Sequence, residues 1–179
     1  AMEHPGKLEA ASIRSARRTV LGKVAGASRT VGRFVARGQY DGYRQESGVR
    51  ADSATETYFR LRTFVKNSRW RGVPFILESG KAMSEDMVSI SVFFKPAPCL
   101  CPEKHDAVHQ NALTFSISPH EEISLLFWAK KPGFEFALEP KRLSFSFSAG
   151  TLAHQIPNAY ERVLFDCIRS DQTLFASTE

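Results

Sequence analysis

Long apolar runs are missing from this 179-residue sequence. The longest, Ile123 to Ala129, is interrupted by Ser124 and falls far short of the roughly 20 residues that cross a bilayer. Ala1-Met2-Glu3-His4-Pro5 carries no charged-then-apolar leader. Cysteine is scarce: three thiols, an odd number, do not make a disulfide framework in a chain this long, so a reducing compartment is expected. These shortages argue for a soluble, cytoplasmic protein without a membrane partner. Glycine is spread rather than clustered. Gly26, Gly32 and Gly38 stand too far apart for a GxGxxG phosphate cradle, and no glycine-rich loop follows a strand. There is no nucleophile elbow and no carboxylate pair on a shared helix face, so any redox chemistry requires a nucleotide held elsewhere.

What is present suits one α+β domain over residues 1–179. The chain is 42% hydrophobic and 24% charged, enough for a single core. Its net charge of +5 is concentrated in residues 1 to 50, where cations outnumber anions by six. That stretch offers only Phe34, Tyr40 and Tyr43 for base stacking and no recognition helix. The positive charge therefore reads as a solvated helix face, with no nucleic-acid partner.

Periodicity divides the chain. Leu8, Ala11, Ile13, Ala16, Val20, Leu21 and Val24 keep a 3.6-residue period, predicting a helix over about 7–25. Residues 26 to 53 read as loops around one short strand near Phe34 to Tyr40. From Thr55 the period changes to two. Residues 56 to 66 alternate, as do Val88 to Phe94, Leu113 to Ile117 and Leu143 to Phe147, with serines and threonines between the apolar residues. Such strands are expected to bury one face and show hydroxyls on the other. "RWRGVPFILESGKAM", residues 69 to 83, reads as a strand ending at Gly80-Lys81. Lys131-Pro132-Gly133 presets a turn, its proline fixing φ and its glycine permitting positive φ. Pro157 opens a helix over about 158–169, with Tyr160, Val163, Leu164, Cys167 and Ile168 as a core stripe. The class is α+β: a large, mainly antiparallel sheet over about 34–156 with a few helices, and no βαβ alternation.

One cluster has metal-ligand chemistry. "CLCPEKHDAVH" spaces Cys99, Cys101, His105 and His109 as C-x-C-x3-H-x3-H, two thiolates and two imidazoles that could satisfy tetrahedral zinc. The first spacing is tighter than the usual C-x2-C, and Pro96, Pro98 and Pro102 favour a metal-free hairpin loop. His120 and His154 lie in turn or loop sequence without a carboxylate and nucleophile beside them, and Trp70 and Trp128 read as core residues.

"ETYFRLRTFVKNSRWRGVPFILESGKAM", residues 56 to 83, resembles the C-terminal domain of glucose-6-phosphate dehydrogenases, with a strand, Arg-Trp, Gly-Val-Pro-Phe and Gly-Lys in that order. "AMEHPGK" at 1–7, "GQYDGY" at 38–43, "AKKPG" at 129–133 and "NAYERVLFDCIRSDQTLF" at 158–175 extend the resemblance over nearly the whole chain. It implies a large antiparallel sheet with helices, through which subunits pair as a homodimer. It implies a parent enzyme that oxidises glucose 6-phosphate with NADP in the pentose phosphate pathway. It places the NADP-binding Rossmann domain and the catalytic base upstream of Ala1, so the chain alone is expected to be inactive and to hold no cofactor. Lys81 matches the lysine that contacts the substrate phosphate. Asp86 stands where the family usually has a second basic residue, Ser116 and Ser118 stand where some relatives carry polar or basic contacts, and Met87 and Ser91 lack the basic character of an additional structural NADP site. The alternative is a non-catalytic relative serving as an assembly or regulatory scaffold.

Overall fold

The computed structural model describes residues 1–25, 35–96, 109–147 and 157–176. The chain forms two compact units: Ala1–Met83 with Asn158–Glu179, and Ser84–Pro157. The described elements are α+β with every strand pair antiparallel, as the periodicity predicts, but the strands are divided between two sheets. The third strand ends at Gly80, and residues 81–87 run irregularly, with Ala82 at φ +52°, so the next strand starts a separate sheet.

In the first unit, helix α1 covers Ala10–Leu21. It is shorter than the predicted 7–25 at both ends. Glu9 is extended, and Val24 bridges to Val65 while Ala25 N–H donates to Phe64 C=O at 2.8 Å. Pairing with a neighbouring strand thus captures residues that the helical period had claimed. Strands β1 (Val35–Gly38), β2 (Tyr58–Phe64) and β3 (Pro74–Gly80) form the three-stranded sheet in chain order. Ile13 of α1, Thr63 of β2 and Val65 just beyond β2 are buried. The arginines of α1 are not simply solvated: Arg17 donates to the carbonyls of Thr173 and Phe175, both at 3.1 Å, and Arg14 donates to Gln172 Oε1 at 3.0 Å.

Helix α2 (Ala159–Ile168) also belongs to the first unit. Its start is fixed by a capping box. Asn158 Oδ1 accepts from the N–H groups of Tyr160 and Glu161, and Glu161 Oε2 accepts from Asn158 N–H. Pro157 therefore precedes the cap instead of occupying the first helical turn. The predicted core stripe is overturned: Tyr160 is 83% exposed and Ile168 85%, whereas Asp166 is buried. The buried position is the charged residue that breaks the apolar pattern. Asp166 accepts from Arg162 Nε at 3.2 Å, and its main-chain carbonyl accepts from Asp171 N–H at 2.9 Å.

The second unit holds β4 (Val88–Phe93), β5 (Ala112–Ser118), β6 (Glu122–Lys130) and β7 (Leu138–Ser146), in that order across the sheet. Strand β6 was visible in sequence only as an apolar run. The Lys131-Pro132-Gly133 turn joins β6 to β7, with Gly133 at φ +124°. Register places Ile90 beside Phe115, Phe115 beside Ile123 and Ile123 beside Phe145, and likewise Val92, Leu113, Leu125 and Leu143 in a second row. One face is thus apolar across four strands, and the other carries serines and threonines.

The expected burial of those faces is reversed. Ile90 is 56% exposed and Leu143 62%, while Ser124 and Ala112, on the opposite face, are buried. The small residues of that face lie among longer neighbours, with Arg142 Nη1 reaching 3.5 Å from Ser124 Oγ. No comparable cover lies over the apolar rows among the described residues.

Candidate functional site

The opening segment of the β2–β3 hairpin is fastened at its far end. Asn67 Oδ1 accepts from Trp70 N–H at 2.8 Å, and Val73 N–H donates back to Trp70 C=O at 3.0 Å, closing the turn. Trp70 is half-buried: its ring meets Phe75 edge-on, and its indole N–H donates to Ala1 C=O at 2.8 Å. Arg69 pairs with Glu3 at 2.8 Å. Register then runs from Phe64 opposite Pro74 to Tyr58 opposite Gly80. Lys81 follows at the near end.

Lys81 N–H donates to Thr57 C=O at 2.8 Å, which extends the ladder by one residue beyond β3. Its side chain is exposed, and its ammonium makes no hydrogen bond or ion pair among the described residues. A few residues earlier on β3, Glu78 accepts from Tyr58 Oη at 2.9 Å and lies 3.6 Å from Arg60 Nε. That hydrogen bond to Glu78, followed by desolvation and the carboxylate's charge, raises the Tyr58 phenol above its ordinary pKa, with Arg60 opposing. Tyr58 is therefore a protonated donor at neutral pH, and Glu78 is balanced by its two neighbours. Lys81 is left as an uncommitted, compact, strongly hydrated cation, the kind of point charge that suits a phosphate dianion.

The other candidates are placed differently. Asp86 is exposed and belongs to the second unit, five residues along the chain from Lys81. Cys99, Cys101 and His105 lie outside the described residues, as does His154. His109 is described: its ring sits 4.5 Å from that of the half-buried Trp128, and Nδ1 is buried without a hydrogen-bond partner among the described residues. His120 is exposed next to a turn. Among the described residues there is no group of three or more metal-ligating side chains, and no helix is long and apolar enough to cross a membrane.

Sequence reading missed the neighbours that organise the Lys81 turn: Thr57, Tyr58, Glu78 and Met83. The available signal was the hairpin register. Once Tyr58 is set opposite Gly80, Arg60 must face Glu78, and Thr57 must meet the residue after the strand.

With every described strand pair antiparallel and no βαβ unit among the described elements, the chain is an α+β sheet domain and not a doubly wound nucleotide-binding α/β fold. More particularly, the family described as "Glucose-6-phosphate dehydrogenase, C-terminal domain" matches residues 1–179, and the chain belongs to that family. Relatives named glucose-6-phosphate 1-dehydrogenase include that of Chlamydia pneumoniae, 35% identical over 97% of this chain and 36% of its own length. That of Borreliella burgdorferi is 31% identical over 100% of this chain and 40% of its own. The chain thus spans well under half of these relatives. A solved structure of glucose-6-phosphate dehydrogenase in complex with its substrate glucose-6-phosphate superimposes with a TM-score of 0.81, at 28% identity, covering 99% of this chain and 37% of the other. The glucose-6-phosphate 1-dehydrogenase from Mycobacterium avium gives the same score, 0.81, at 29% identity, over 98% and 36%.

Proposed function

We propose that this chain is the substrate-binding and dimerisation domain of a cytoplasmic, NADP-dependent glucose-6-phosphate dehydrogenase that oxidises glucose 6-phosphate to 6-phosphogluconolactone. The observation that carries the reading is the uncommitted Lys81 ammonium on a turn tied to β2, within a chain that matches the family domain from end to end. Lys81 contacts the phosphate of the sugar. NADP and the catalytic base are supplied by the remainder of the enzyme, because hydride transfer needs a cofactor site and a base beyond the groups described above. Residues 1–179 act as one family domain, and the homodimer forms through the sheet. The continuous apolar face of β4–β7 supports that pairing, since a patch of this kind on a water-soluble protein marks an association surface.

The experiment is an NADP-reduction assay on the chain alone, paired with a glucose 6-phosphate titration. The expected result is binding without turnover. Turnover above background contradicts the division of labour. Absence of any sugar-phosphate binding, with self-association intact, selects the scaffold reading that Asp86 motivates.

A further inference from the structure

The turn that carries Lys81 is held from two sides by residues without a role in the function above. A Cβ built on Gly80 would lie 2.6 Å from Met83 Sδ and 3.0 Å from Tyr58 Cδ2. Gly80 has no positive φ, so backbone freedom is not the reason for glycine here. The reason is space: the Met83 side chain folds back over Gly80 and the Tyr58 ring fills what is left. That return passes through Ala82 at φ +52°, an uncommon conformation for a residue with a Cβ. On the other side, Thr57 accepts the Lys81 N–H with its carbonyl, donates its own N–H to Gly38 C=O at 2.9 Å, and accepts Tyr40 N–H on Oγ1 at 3.0 Å. Gln39 braces the same stretch by donating to the carbonyls of Ser53 and Thr55. The "GQY" at 38–40 is thereby linked to Lys81 through one threonine.

We propose that Gly80, Met83 and Thr57 are positioning residues for Lys81: the thioether closed over a glycine without a Cβ, and the threonine bridge behind it, fix where the ammonium starts. This rests on the assignment of Lys81 to the sugar phosphate. A lysine has a long flexible stem, so an anchored backbone limits the freedom that must be lost when the phosphate arrives. Gly80→Ala forces Met83 or the Tyr58 ring to move, because a contact of 2.6 Å cannot be kept. Met83→Leu keeps an unbroken apolar cover and preserves the arrangement.

The test uses the isotopically labelled chain, titrated with glucose 6-phosphate and with glucose, together with amide hydrogen exchange at Lys81. Gly80→Ala should weaken glucose 6-phosphate binding about fivefold and Thr57→Val about threefold, with glucose unaffected and Met83→Leu close to the parent. Exchange of the Lys81 N–H should quicken about tenfold in Gly80→Ala. Met83→Ala, which opens the cover without inserting an atom, should shift both readouts in the same direction. Parent-like binding in both Gly80→Ala and Thr57→Val overturns the proposal. If Lys81→Met binds glucose 6-phosphate as the parent does, the phosphate assignment itself fails. The positioning claim is then decided by exchange alone, and an unchanged Lys81 N–H in Gly80→Ala and Met83→Ala overturns it.

Discussion

The two sheets differ in what they do with their polar groups. In the three-stranded sheet, charged and hydroxyl side chains are tied to one another across strands: Tyr58 and Arg60 meet Glu78, and Arg37 pairs with Glu56 at 2.7 Å. The hairpin ends are pinned as well, by Trp70 at one end and Thr57 at the other. In the four-stranded sheet the polar residues are mostly small hydroxyls, such as Ser91 and Thr114 at 3.1 Å, and Ile90, Val92, Phe115, Leu143 and Phe145 of the apolar rows are exposed among the described residues. The first sheet holds individual groups in fixed places, as recognition of a small charged ligand requires. The second presents a broad apolar area, as association requires. An apolar stripe is not peculiar to the second unit, since α2 exposes one too, but among the described residues β4–β7 makes it continuous across four strands.

Charge placed on the apolar face of β4–β7 should have the largest effect. Ile90→Asp with Phe145→Asp should weaken self-association at least a hundredfold, read by sedimentation velocity over a concentration series. The Tyr58, Glu78 and Thr57 contacts should remain. Equal association of parent and variant would remove the contrast between the sheets.

A second effect belongs to the first unit. Arg17→Ala deletes two hydrogen bonds from a guanidinium to the carbonyls of Thr173 and Phe175, and should lower stability by about 2 kcal/mol in denaturant unfolding. Asn158→Ala, which removes the capping box of α2, should cost about 1 kcal/mol. Asn158→Asp should keep most of it.

The smallest effect is a pH dependence at the end of α2. Hydrogen bonds from Thr173 to Asp171, side-chain first and then backbone, lower the Asp171 pKa below its ordinary value, and Arg162 and Arg169 add to the shift. A folded pKa lower than the unfolded one means that the contribution is present above the unfolded value and is lost as pH falls through the folded one. Amide exchange at Thr173 should therefore quicken only on the acid side of about pH 4, and Asp171→Asn should abolish that dependence.

Much of this organisation was legible in sequence. The period-two segments marked β2, β4, β5 and β7, because alternation survives whichever face is covered. Which face is covered was not legible: Ile90, Phe115 and Phe145 have the pattern of a core, and only the register shows one open surface. The same ambiguity affected α2, whose period predicts a buried stripe while the buried residue is Asp166. Lys81 was legible only through its place in the run from Arg69 to Met83, since a lysine after a glycine has no chemistry of its own. Its supports were not, because Thr57 and Met83 act through a register and a side-chain fold that no local pattern encodes.

The most direct test of the proposed role of Lys81 is kcat/KM with glucose 6-phosphate and with glucose for the longer enzyme of which this chain is proposed to be a domain, as the parent and as Lys81→Met. A charge-assisted contact to phosphate is worth roughly 1.5 to 3 kcal/mol, so the variant should lose about tenfold to a hundredfold with glucose 6-phosphate and almost nothing with glucose. Equal losses with both substrates, or no loss with either, would contradict the assignment.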